Sequence, residues 1–195
     1  MKLADKVTSV RIILAPVFFV IYLLPRLFPA LSLGTLWTVP VLWGLFVGSE
    51  ITDMLDGMIA RKRGEASDFG KFFDPFADTL VQVTYFFCFV IDDILPSILF
   101  LAVLYREFSI LFIRNLMLRK GVAMGARISG KIKTITYILA GAFALLASTA
   151  TRLGLNNAYY RVLCGVSVVI FIVSVIMSLL SFFDYYSVYK KAPKI

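Results

Sequence analysis

The sequence predicts an all-α integral membrane protein, a single-domain bundle of six transmembrane helices spanning residues 1–195. Three observations carry that expectation. Hydrophobic residues make up 60% of the chain and charged residues only 16%, with a mean hydropathy of +0.88; a soluble domain of this length cannot cover so much apolar surface. The apolar residues gather into six runs, each near the ~20 residues a helix needs to cross a bilayer. The connections between the runs are alternately rich and poor in lysine and arginine.

The first run, 9–30, follows Lys2, Lys6 and Arg11. It runs too far, and lacks a small-residue cleavage site, for a removable signal peptide, and reads as the first membrane helix. The second, 35–60, turns polar from Glu50 onward, and the third, 72–95, starts among carboxylates. The fourth, 96–118, is interrupted by Arg106. The fifth, 131–151, contains Ala140-Gly141-Ala142, and the sixth, 160–184, contains Gly165; small residues let helices approach closely. Val162 to Phe183 carries no charge, and Asp184-Tyr185-Tyr186 reads as an anchor where the last helix meets water. Cys88 and Cys164 both lie in apolar runs and read as small buried hydrophobes, not as a disulfide or a metal site. With no histidine, acid–base chemistry falls to carboxylate, lysine, tyrosine or cysteine.

The formal net charge of +8 matters through its distribution. Lys2, Lys6 and Arg11 precede the first run; Arg61, Lys62, Arg63 and Lys71 lie between the second and third. Arg114, Arg119, Lys120, Arg127, Lys131 and Lys133 surround the connection from the fourth to the fifth, and Lys190, Lys191 and Lys194 close the chain. The opposite connections carry Arg26, Arg152 and Arg161, with acidic Asp92 and Asp93. By the positive-inside rule this predicts both termini on the cytoplasmic side of the cell (inner) membrane. The partner of this charge is the lipid bilayer; no nucleic-acid partner is expected.

Seven of the twelve acidic residues fall between Glu50 and Asp78. On a helix, Asp53 and Asp56 share a face, as do Asp74 and Asp78 on the next. Gly57 puts no side chain in the way of a ligand, and Ala60 keeps the same face narrow. The segment between contains Gly64, Ser67, Asp68 and Gly70, a plausible reversal that sets the two helices side by side. Four carboxylates in one cytoplasm-facing pocket repel one another unless cations hold them. Oxygen ligands without histidine or cysteine suit Mg²⁺ or Mn²⁺, and two such ions can clamp a phosphoryl group and activate a hydroxyl. A solvated acidic loop, or helix-capping aspartates, is the plainer alternative; four aspartates at this spacing around a glycine and an arginine argue against it. A divalent-cation transporter is a further alternative. It would place its ligands at mid-membrane on interrupted helices, whereas these stand at a helix end beside a basic loop.

The run D-x-x-D-G-x-x-A-R-x₈-G-x₃-D-x₃-D over positions 53 to 78 resembles the signature of the CDP-alcohol phosphotransferases at every fixed position. The resemblance implies their fold of six transmembrane helices, usually a homodimer, and transfer of a phosphatidyl or related group from a CDP-linked donor to an alcohol with release of CMP. It implies that Asp53, Asp56 and Asp74 bind metal, as two ions of Mg²⁺ or Mn²⁺, and that Asp78 is the general base beside them. Gly57, Arg61 and Ser67 match positions that contact the donor, and Thr52 and Ala60 line the same pocket. Arg61 supplies a fixed planar cation to a pyrophosphate.

The flanks are similar to those of the bacterial phosphatidylglycerophosphate synthases within that family. The similarity rests on Asp5-Lys6-Val7-Thr8-Ser9-Val10-Arg11 and on Arg106-Glu107, Arg114 and Ser129-Gly130-Lys131-Ile132-Lys133-Thr134. Asp5 stands where they commonly have asparagine, and Tyr137 stands near a frequent glutamine. The similarity implies CDP-diacylglycerol as donor, with Thr8 among its contacts, and sn-glycerol 3-phosphate as acceptor; inositol phosphate, serine and phosphatidylglycerol are the alternative acceptors. An acceptor phosphate needs cations, and Arg106, Lys131, Lys133, Arg114 and Arg127 are the candidates. Arg106 is expected to lack a partner in Glu107, because adjacent helical residues point apart.

Four clustered carboxylates predict activity that needs Mg²⁺ or Mn²⁺. CMP release from CDP-diacylglycerol is expected to vanish in excess EDTA and to return with either ion; full turnover in the chelator would sink the metal reading.

Overall fold

The computed structural model describes residues 3–28, 35–63, 68–121 and 128–191. Among them stand six α-helices and no strand: α1 (Leu3–Leu27), α2 (Thr38–Arg63), α3 (Asp68–Ile91), α4 (Ser97–Arg119), α5 (Ile128–Arg152) and α6 (Asn157–Lys191). A 3₁₀ turn at Thr35–Trp37 leads into α2. The protein is thus an all-helical, multi-pass membrane protein. Four stretches of the described residues are long and apolar enough to cross a bilayer: Thr8–Leu27, Phe73–Ile91, Gly130–Arg152 and Asn157–Lys191. The expected second and fourth spans are present as helices, but Glu50 and Asp53 in α2, and Arg106, Glu107 and Arg114 in α4, dilute their apolar character. The helices also outrun the apolar runs, furthest at two ends. α1 begins at Leu3, and α6 continues to Lys191, where two lysines complement the negative end of the helix dipole.

The chain forms two compact units. The first comprises residues 1–88 and Ser148–Asn156. Its core is aromatic. Tyr85 of α3 packs its ring 4.3 Å from Phe18 of α1 and 5.2 Å from Phe46 of α2, centroid to centroid. All three are buried, and the Tyr85 hydroxyl meets Ser49 Oγ at 2.8 Å. Tyr85 of α3 therefore meets one residue from each of the other two helices, which fixes the rotation of α1, α2 and α3. At the far end of this unit Arg152 is a polar hub. It donates from Nη1 to Thr38 Oγ1 (2.9 Å), from Nη2 to the Tyr22 carbonyl (2.8 Å) and from Nε to Ser148 Oγ (3.3 Å), and lies 4.8 Å over the Tyr22 ring.

The second unit comprises residues 89–147 and 157–195. α4 and α6 run parallel in it, since Arg106 meets Ser178, Arg114 meets Tyr185 and Lys120 meets Tyr189 in the same order along both helices. α6 buries Ser167, Ser174, Ser178 and Ser181, small side chains that recur on one face and admit a close neighbour. Cys88 is buried and Cys164 half-buried, with no disulfide among the described residues.

Arg152→Ala removes three hydrogen bonds from one cation. A stability loss on the order of 1.5–3 kcal/mol is expected. It would be read as a lower thermal midpoint for maleimide labelling of buried Cys88 in a Cys164→Ser background. An unchanged midpoint would show that the hub does not hold the first unit together.

Candidate active site

The acidic site of the first unit is assembled from three helices. Thr8 and Arg11 stand three residues apart on α1 and share a face; Asp53 projects from α2, and Asp74 and Asp78 from α3. Arg11 Nη1 donates to Asp53 Oδ1 at 2.5 Å, and the same nitrogen pairs with Asp78 Oδ1. Thr8 Oγ1 donates to Asp74 Oδ1 at 2.7 Å. Arg11 is only 2% exposed, whereas the Asp53 and Asp78 side chains are 47% and 38% exposed. The cation is a buried floor beneath two carboxylates that open outward. Pro75, inside α3, has no N–H to donate one turn back, so the helix is loosened beside Asp74.

Three carboxylates against one guanidinium leave a net charge of −3 + 1 = −2 on Asp53, Asp74, Asp78 and Arg11. Among the described residues no three acidic side chains stand close enough to hold an ion between them. The donor set nevertheless fits a divalent cation. All the ligands are hard oxygens, and Asp53 and Asp78, from different helices, already point at one positive centre.

Thr52 is half-buried, and its hydroxyl donates to the Ser49 carbonyl of its own helix at 2.8 Å. Asp56, Gly57, Ala60 and Arg61 lie on the last turns of α2, but their side chains are outside the described residues. Ser67 and Arg127 lie wholly outside them.

The expected acceptor cations fall in the second unit. Lys131 is exposed. Arg106 and Lys133 are buried around Glu107, whose Oε1 accepts from Arg106 Nη1 (2.7 Å), Lys133 Nζ (3.0 Å) and the Tyr137 hydroxyl (3.1 Å). Arg106 Nε donates onward to the Ser178 carbonyl at 2.9 Å. This corrects the expectation that Glu107 is a poor partner for Arg106. Both side chains are nearly inaccessible, at 5% and 4% exposed. An unpaired ion at such depth is costly enough that the flexible arginine stem bends round the helix to its neighbour. A second correction concerns Tyr185. It is not a solvated anchor but is 2% exposed; Arg114 donates to its hydroxyl at 2.9 Å and stacks 5.1 Å over its ring. Asp184 and Tyr186 beside it are exposed.

Arg11 is the residue that sequence reasoning missed. It was read as a marker of topology, yet it is a cation inside the first apolar helix, the same signal that singled out Arg106.

The model of the CDP-alcohol phosphatidyltransferase family matches residues 1–180. A Treponema pallidum protein named CDP-diacylglycerol–glycerol-3-phosphate 3-phosphatidyltransferase is 40% identical over 191 residues, covering 95% of this chain and 88% of its own. A Bacillus subtilis protein of the same name is 36% identical over 149 residues, 74% of this chain and 77% of its own. A Mycobacterium tuberculosis protein named probable phosphatidylglycerophosphate synthase is 34% identical over 146 residues, 74% of this chain and 66% of its own.

Arg11→Ala leaves Asp53 and Asp78 facing each other with their shared cation removed. In EDTA the variant is expected to lose stability toward the lower end of the roughly 1.5–3 kcal/mol of a charged hydrogen bond, since both acceptors are half-exposed. Arg11→Lys should recover part of the loss. Thermal midpoints in EDTA check this, and an Arg11→Ala midpoint equal to wild type would refute the bridging role.

Proposed function

The chain belongs to the CDP-alcohol phosphatidyltransferase family, and on that premise we propose that it transfers the phosphatidyl group of CDP-diacylglycerol to sn-glycerol 3-phosphate, giving phosphatidylglycerophosphate and CMP. The observation that carries the reading is the meeting of Asp53 and Asp78, the outer aspartates of the signature, at one cationic nitrogen. The names of the Treponema and Bacillus relatives support the choice of acceptor.

In this reading Asp78 is the general base. It takes the proton of the acceptor's primary hydroxyl as that oxygen bonds to the phosphatidyl phosphorus, and the pyrophosphate bond to CMP breaks. Asp53, Asp56 and Asp74, with Asp78 beside them, would hold Mg²⁺ or Mn²⁺, as two ions. Ions bound by these residues would neutralise the pyrophosphate and lower the pKa of the acceptor hydroxyl. Gly57, Arg61 and Ser67 hold the CDP moiety, with Thr52, Ala60 and Thr8 around it. Thr8 orients Asp74 through its hydroxyl.

The acceptor's phosphate is assigned to Arg106, Lys133 and Arg114, with Lys131 and Arg127. Arg106 and Lys133 share one carboxylate, Glu107, while Arg114 stands about two turns farther along α4 at Tyr185, so the cations of this unit outnumber the one acidic partner, which suits a phosphate dianion. The family match runs through both compact units in one stretch, which supports a single functional domain. The reading also takes the site and both termini as cytoplasmic, at the inner membrane, and the working form as a homodimer.

The test is CMP release by the purified protein with CDP-diacylglycerol and Mg²⁺ across glycerol 3-phosphate, inositol phosphate, serine and phosphatidylglycerol. Glycerol 3-phosphate should be the acceptor used. Asp78→Asn should lower turnover by about 10²–10⁴-fold while retaining donor binding. A near-wild-type rate for Asp78→Asn would remove the base assignment, and turnover with serine or inositol phosphate alone would overturn the acceptor.

A further inference from the structure

We propose that the groove between α4 and α6 is a binding site for an anionic phospholipid of the surrounding bilayer, built from none of the residues assigned to the transfer reaction. The groove has a volume of about 480 Å³ and is lined by Phe108, Phe112 and Leu116 of α4 and by Phe182, Tyr186 and Tyr189 of α6. That size lies within the about 300–1,000 Å³ of small-molecule sites. Its α6 wall is stiff, because Phe182 and Tyr186 stack with ring planes 12° apart. Phe108 and Phe112 are more than half exposed, so the groove opens sideways along a helix pair of which α6 is apolar enough to cross a membrane. An acyl chain is the occupant that such a lateral opening admits.

The rim selects the headgroup. α4 and α6 are parallel, so their C-terminal ends lie at the same end of the groove. Arg119 stands there on the last turn of α4 with Lys120 as its C-cap, and Lys190 stands on α6. Lys120 Nζ lies 5.3 Å over the ring of Tyr189, which itself lines the groove, so the charge is tethered to the apolar wall. By helical periodicity Arg119 and Lys120 flank the face of Phe112 and Leu116, and Lys190 stands one position beyond Tyr189; Asp184 falls on the opposite face of α6. An apolar slot that ends in three cations complements a lipid with a negative headgroup. A second copy of the chain is disfavoured as occupant, because twofold pairing at this groove would crowd six cations together. Aromatic residues at the level of the basic rim fit the membrane–water interface.

The test uses the full chain in nanodiscs of phosphatidylglycerol mixed with phosphatidylcholine, followed by native mass spectrometry of the lipids that stay bound. No donor, metal ion or glycerol 3-phosphate is present, and the variants leave every residue assigned to the transfer reaction intact, so retention at the reaction site would not change between wild type and variants. Wild type should retain phosphatidylglycerol in preference to phosphatidylcholine. The triple variant Arg119→Ala, Lys120→Ala, Lys190→Ala should lower that preference about tenfold or more. Ser109→Trp keeps every cation but fills the groove, and should lower it comparably. A preference that survives the triple variant overturns the headgroup assignment. A preference lost in the triple variant but intact in Ser109→Trp reduces the effect to diffuse attraction and overturns the groove.

Discussion

Two carboxylates cannot share a site without a positive charge between them, and Arg11 supplies that charge to Asp53 and Asp78. The rest of the first unit is arranged so that this meeting can occur. Phe18, Phe46 and Tyr85 form its aromatic core. Each lies seven residues from a member of the polar trio: Phe18 from Arg11 on α1, Phe46 from Asp53 on α2, and Tyr85 from Asp78 on α3. Seven residues is close to two turns, so both members of each pair share a face, about 10 Å apart along the axis. The apolar layer and the ionic layer are two levels of one three-helix contact. The aromatic layer contributes packing, with each ring pair worth roughly 0.5–1.5 kcal/mol beyond its buried area. The ionic layer sets which residues meet. A helix rotated by one position, about 100°, would lose both layers together.

The same rule governs the other buried cations. Arg106 and Lys133 are buried at Glu107, and half-buried Arg152 finds two hydroxyls and a carbonyl. A charge in an apolar helix is too costly to leave without partners, so these cations do more than mark topology. Each ties together chain segments that apolar contacts alone would leave free to slide.

The helices were legible because a membrane span needs a long apolar run, and each run lies largely within a helix. The aspartates were legible because their spacing is local to α2 and α3 and survives any packing. What the sequence left hidden depends on helix rotation. Arg11 lies 42 residues from Asp53, and nothing in its neighbours says which face of α1 is turned inward. The pairing of Arg106 with Glu107 contradicts a rule that holds for solvated helices, where no penalty forces adjacent side chains together. Tyr185 was misplaced for a related reason. Its neighbours Asp184 and Tyr186 do reach water, but a helix changes face within one residue, and Tyr185 turns under Arg114.

Arg11 and a divalent ion make opposite demands on the same carboxylates only if they approach from the same side. The exposure of the groups separates them: the guanidinium is buried, while Asp53 and Asp78 are open. A carboxylate offers about four lone-pair sites, and the bridging nitrogen takes one from each. The arginine can therefore keep the two helices in register from beneath while an ion is bound from above. An acidic site built this way would not need to be reassembled for an incoming cation, because the repulsion that would spread its helices is already countered by a charge that never leaves the protein. The same charge would also limit how strongly these carboxylates could hold a cation. Each positive centre beside a carboxylate weakens its attraction for the next, so the arginine that fixes the two helices also sets how much negative charge they present.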